Sequence, residues 1–158
     1  MATLSIKMLY CVHEATGIDL AAITAIIGVL PSQIAIEDIG DVVRVLQQVP
    51  GVLEALDVAR ADPDILYLTK VTAGQLDNAI WPGGGNVNDI QGGQSVALDV
   101  QCEFDFSQNI SLWDYDVSDD DLLGSVTAFA SEAGQGIQVK LASSNVEGSA
   151  YYVIYEVY

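Results

Sequence analysis

Five aspartates, Asp114, Asp116, Asp119, Asp120 and Asp121, fall within eight positions inside the run 110–126. Carboxylates that close repel one another unless a cation sits among them. No lysine or arginine occurs between Lys70 and Lys140 to supply one. Calcium takes about six to eight oxygen ligands, and alternate residues of a tight turn aim carboxylates at a common point. Asp114 and Asp116, separated by Tyr115, meet that need, so the run reads as a calcium loop. The competing reading is a solvated acidic turn. An EF-hand fits less well, because it requires a mid-loop glycine and a closing glutamate where this chain has Asp119 and Ser125. Zinc is not expected, since His13, Cys11 and Cys102 lack ligand spacing.

Catalytic chemistry finds little footing. His13 is the single histidine and follows a strand-like run with no serine or cysteine partner in view. Gly83-Gly84-Gly85 lacks the Lys-Ser/Thr that a phosphate loop requires. Carboxylate pairs suited to glycoside hydrolysis are everywhere in so acidic a chain, and that abundance makes them uninformative. The chain is read as a non-enzyme.

The elements that must position the loop follow from periodicity. Residues 3–12 alternate, placing Leu4, Ile6, Met8, Tyr10 and Val12 on one face of a strand. Between about 19 and 60 the period turns helical, in three pieces set apart by Pro31 and Pro50. Asp19 would cap the first, over residues 20–30. The second runs to about Gln48, and Pro50 suits the first turn of the third. Thereafter the chain is again β-like, over 65–71, 95–106, 110–113, 123–130, 137–141 and 150–157. In the 95–106 stretch Val96, Leu98, Val100, Cys102, Phe104 and Phe106 should face inward. Turn signals at short, regular spacing favour an antiparallel sandwich, with the helical segment as an excursion from it.

With 158 residues, one domain covering 1–158 is expected. A 51% hydrophobic composition argues for a packed core despite a net charge of -17. That charge, from 22 acidic against 5 basic residues, excludes a nucleic-acid binder, which needs a basic footprint. It also disfavours an anionic membrane surface unless divalent cations bridge the two. Two cysteines make no disulfide framework, and buried free thiols are the expectation. No signal peptide is read at the N-terminus, which points to the cytoplasm or leaderless export. The apolar stretch at 20–30 is about 11 residues, well short of the ~20 that span a bilayer.

Three pieces, in order, resemble a C2 domain, the calcium-responsive β-sandwich of many membrane-recruited proteins. The first is the strand that ends in Glu14-Ala15-Thr16-Gly17-Ile18. The second is Ala61-Asp62-Pro63-Asp64-Ile65, similar to the segment closing that family's first calcium loop. The third is the stretch 112–124, similar to its third loop, with Asp-aromatic-Asp before and Asp-Leu-Leu-Gly after. The resemblance implies a mainly β, antiparallel C2-like sandwich with a three-helix insertion in its first loop. It implies Asp62, Asp114, Asp116, Asp119 and Asp121 as calcium ligands, with either Asp19 or Asp57 completing the first loop. It departs from the family in a third loop one residue short and in lacking the Asn-Pro-x-Trp signature. The implied partners are lipid headgroups or a protein, engaged through the metal-loaded loops. The alternative is a calcium-cemented homo-oligomer or filament, such as a sheath or surface-layer subunit.

Two further features bear on partners. An apolar helix at 20–30 would either dip into lipid beside the loops or, as favoured, pack back as an extra layer. Tyr151, Tyr152, Tyr155 and Tyr158 would either form an aromatic binding face or, as favoured, belong to a strand inside a sheet.

Overall fold

The computed structural model describes residues 1–15, 20–58 and 61–158. The seven long strands expected from periodicity all form: β1 (Ala2–His13), β3 (Asp64–Thr69), β6 (Ser95–Phe104), β7 (Ser107–Asp114), β8 (Asp121–Phe129), β9 (Ile137–Ser144) and β10 (Ser149–Val157). Three short strands join them: β2 (Gln33–Ala35), β4 (Ala79–Trp81) and β5 (Asn88–Ile90). One antiparallel sheet runs β2-β9-β10-β1-β6. The other runs β4-β3-β7-β8, with β5 also pairing with β3. The apolar faces of the two sheets enclose a core that includes Leu4, Ile6, Leu66, Leu112, Leu123 and Val153. The architecture is therefore a mainly β, antiparallel two-sheet sandwich with helices inserted between β1 and β3.

β1 departs from strict alternation. A bulge between Ile6 and Met8 slips the register by one residue against both neighbouring strands. Before it, Leu4 and Ile6 face the inter-sheet core; after it, Leu9 and Cys11 do, while Tyr10 and Val12 turn outward. A one-residue slip exchanges the two faces, which is what a β-bulge does. The single inward face expected for Leu4 through Val12 is thus split. The outward half is nevertheless buried, because the helices cover it.

That second apolar layer consists of α1 (Leu20–Ile27), α2 (Val42–Gln47) and α3 (Val52–Asp57). Ile23, Ile27, Leu46, Val52 and Ala55 pack on Tyr10, Val12, Val139, Tyr152 and Ile154. The helices are therefore a layer on the sheet, as favoured. Their lengths differ from expectation: α1 stops at Ile27, and the second piece begins as a strand. Gln33–Ala35 pairs with β9 because that strand offers an open edge, and Ile34 there sits opposite Val139. Leu141 N donates to Ser32 O (2.9 Å) and the Tyr152 hydroxyl to Pro31 O (2.8 Å), pinning the chain across the sheet. The proposed Asp19 cap lies outside the described residues. Among the described residues, no helix is long and apolar enough to cross a membrane.

β10 lies between β9 and β1, and Tyr151, Tyr152 and Tyr155 are wholly buried. Tyr151 and Tyr155 enter the inter-sheet core and Tyr152 the helical layer. The tyrosines belong to a central strand. Cys11 and Cys102 are not joined by a disulfide. Phe106, expected inside, is 86% exposed, because β6 ends at Phe104 and the chain turns there.

Candidate functional site

The acidic residues meet where β3, β7 and β8 expose one end of the sandwich. Leu66 pairs with Asp114, and Asp114 stands directly opposite Asp121. Like charges in cross-strand register are destabilising when nothing neutralises them. The Asp114 carboxylate accepts from Ile65 N at 2.7 Å, and Tyr115 N donates to Ile65 O at 2.8 Å, so β3 fixes the base of the loop. Higher in the loop, Asp116 Oδ1 accepts from Ser118 N (3.1 Å). Asp120 accepts from Asp116 N (2.8 Å) and from the buried Tyr67 hydroxyl. Asp120, absent from the ligands expected from sequence, is thus the brace of the turn. Tyr67→Phe removes the hydroxyl bond and should cost about 1–2 kcal/mol, read as a lower denaturant midpoint at unchanged slope.

The electrostatics join these residues to three others. Burial raises the pKa of Asp114 despite the bond from Ile65 N, and Asp121, Asp116 and Asp120 push it further. Asp121 is raised by burial and then by Asp116, Asp119 and Asp120. Glu147, on the β9–β10 turn, is raised by burial and by Asp121 and Asp114, so it belongs to the same group. Asp64 is 1% exposed and is pushed up to about 7, chiefly by burial, with Asp114 and Glu14 adding repulsion. Bonds from Ala15 N (3.0 Å) and the Tyr151 hydroxyl partly offset this. Asp64, Glu14 and Glu147 were not among the expected ligands. Asp64 could have been found, since it shares the inward parity of Leu66 and Leu68 in β3. Glu147 carries no local signal; only the packing of the β9–β10 turn beside β8 brings it in.

Asp114, Asp116, Asp119 and Asp121 lie on the β7–β8 loop and its flanking strand ends, near enough for their charges to act on one another. Asp62 is exposed and makes no side-chain hydrogen bond among the described residues. Its neighbour Pro63 lines a depression with Ile65, Asp114, Tyr115, Asp116 and Val117. Asp57 is exposed at the end of α3, and Asp19 lies outside the described residues. Among the described residues, no three acidic, histidine or cysteine side chains converge closely enough to hold an ion as they stand. In donor chemistry the group still suits calcium: every side chain is a hard oxygen donor, and the carboxylates of Asp121 and Glu147 accept no hydrogen bond among the described residues. No Lys or Arg among the described residues forms an ion pair with the group.

Exposed apolar side chains flank the acids along the chain. Val117 is 95% and Val146 80% exposed, and Tyr115 and Leu122 are also exposed. Fold and site together define an antiparallel β-sandwich with an acidic loop end flanked by exposed apolar side chains. No family model, curated protein or solved structure matches this chain.

Proposed function

We propose that the loop end binds calcium in the manner of a C2-like module and, once loaded, docks onto a lipid headgroup layer. The ligands are Asp114, Asp116, Asp119 and Asp121, with Asp62 at the margin and Glu147 reaching in from the β9–β10 turn. The observation that carries this reading is that exposed Val117, Val146, Tyr115 and Leu122 each adjoin in sequence one of the mutually repelling acids, with which no lysine or arginine among the described residues forms an ion pair. Unloaded, the negative end is repelled by an anionic surface, and its apolar tips cannot approach. Neutralised, it loses the repulsion, and Val117 and Val146 can bury their side chains at the interface. Asp120 and Tyr67 hold the turn while Asp116, Asp121 and Glu147 rotate inward.

Binding restricted to the native state should stabilise the protein by about 3 kcal/mol at a hundredfold excess of calcium over Kd, measured as a rise in melting temperature over chelator. Asp116→Asn should reduce that rise, and Val117→Asp should abolish calcium-dependent pelleting with anionic vesicles while leaving the rise intact. Identical melting with calcium and chelator sinks the metal reading. Binding without vesicle pelleting turns the docking reading toward a protein partner.

One observation favours calcium-cemented assembly as the second reading. β6, ten residues long, ends its sheet among the described residues and carries Asp99, Gln101 and Glu103 on its exposed face. Antiparallel pairing of two copies centred on Gln101 sets Asp99 against Glu103, a contact that needs a divalent cation. Pelleting with calcium in the absence of lipid distinguishes this reading.

A further inference from the structure

We propose that the acidic end has a second, inner cation seat, formed by Glu14 and Asp64 beneath the loop. This deepens the calcium reading of the same end and rests on it for the identity of the metal. Glu14 is completely buried, and among the described residues neither carboxylate oxygen has a hydrogen-bond donor. An ionised carboxylate enclosed in that way is strongly destabilising unless something neutralises it. The nearest candidate is His13, whose Nδ1 lies 3.3 Å from Glu14 Oε2. That nitrogen donates to the Glu14 carbonyl at 2.7 Å, so its hydrogen does not serve the carboxylate. Nε2 of the same ring is buried without a hydrogen-bond partner among the described residues.

Asp64 supplies the second carboxylate. It binds Ala15 N, the residue after Glu14, through both oxygens (3.0 and 3.1 Å). Ile65, the residue after Asp64, binds Asp114. Carboxylate-to-main-chain bonds thus tie together the segments that carry Glu14, Asp64 and Asp114, and the charges of Glu14 and Asp114 both act on Asp64. Two carboxylates are too few to enclose calcium alone, but main-chain carbonyls commonly complete such sites. The seat is therefore compatible with the absence, among the described residues, of three converging acidic side chains.

Calorimetric titration of the intact chain with calcium tests the seat. Wild type should bind two ions, Glu14→Gln one, and Asp116→Asn should weaken the outer ion while retaining the inner. In chelator Glu14→Gln should melt above wild type, because an amide is less costly to bury than a carboxylate without a donor; in calcium the order should reverse. Glu14→Gln that binds as many ions as wild type overturns the proposal, as does Glu14→Gln that melts lower in chelator. One ion lost in Asp116→Asn and none in Glu14→Gln leaves the outer site standing alone. No binding by any variant removes both.

Discussion

Gly124→Ala is expected to destabilise the protein by at least about 4 kcal/mol, which in a chain of this size lowers the melting temperature by roughly 10 °C or more. Gly124 begins the part of β8 that crosses β9, next to a bulge opposite Leu112 and Trp113. A Cβ there would lie 2.4 Å from Ser143 N and 2.6 Å from Ala142 C. Both are main-chain atoms of a paired strand, so neither can swing aside as a side-chain tip would. The φ of +148° adds strain for any residue with a side chain. Ser149 Oγ donates to Leu123 O (2.7 Å) and Lys140 Nζ to Thr127 O (2.8 Å) on either side of the crossing, so β8 cannot lift without breaking them. Gly134→Ala provides the control. Its φ is also positive, at +77°, but nothing lies within 4 Å, and about 1–2 kcal/mol of backbone strain is the whole expected cost. Equal losses in the two variants would show that the close approach is unimportant.

The second large effect is a stability that rises as pH falls. Asp64 moves from an ordinary 3.8 to about 7 in the folded chain, chiefly through burial. The native state therefore holds a proton across that interval while the unfolded chain has released it. Its contribution is fully present below about pH 4 and is lost as pH rises through 7. At about 1.4 kcal/mol for each tenfold change, the difference above pH 7 is roughly 4 kcal/mol. Asp114, Asp121 and Glu147 are raised as well and act with the same sign. Denaturant unfolding in chelator should show greater stability at pH 5.5 than at pH 8. Asp64→Asn should flatten much of that slope and raise stability at pH 8, since an amide keeps an acceptor for Ala15 N and Tyr151. Calcium should restore stability at pH 8 and do little at pH 5.5, because its ligands bind deprotonated. A wild-type profile flat from pH 5.5 to 8 contradicts the burial of a titrating Asp64.

Much of the scaffold was readable before any coordinates. The strands near 3–12 and 95–106 follow from period-two alternation and the other long strands from β-like runs between turn signals, and Pro31 and Pro50 divide the inserted segment as proline should. Local pattern failed where a neighbour decided the outcome. Gln33–Ala35 forms β2 because β9 had an unpaired edge, although the flanking residues carry a helical period. The face of β1 changes midway because Ile6 and Met8 flank a bulge, and alternation cannot announce an inserted residue. Phe106 continues the β6 pattern in sequence and leaves it in space, where the chain turns toward β7.

The amino-acid sequence determines, by itself, that this protein is a mainly β antiparallel sandwich with a dense acidic turn from Asp114 to Asp121. Both are local matters of side-chain period and charge spacing. Tertiary structure alone decides what surrounds that turn. It sets Asp114 opposite Asp121, draws Glu147 in from a distant turn, and buries Glu14 and Asp64 behind them. It also lays the helices on the far face of a sheet, leaving Val117 and Val146 as the apolar tips of the acidic end. The physical reason is range: a strand's period is fixed by its own backbone, whereas burial and repulsion depend on which strands the fold makes neighbours.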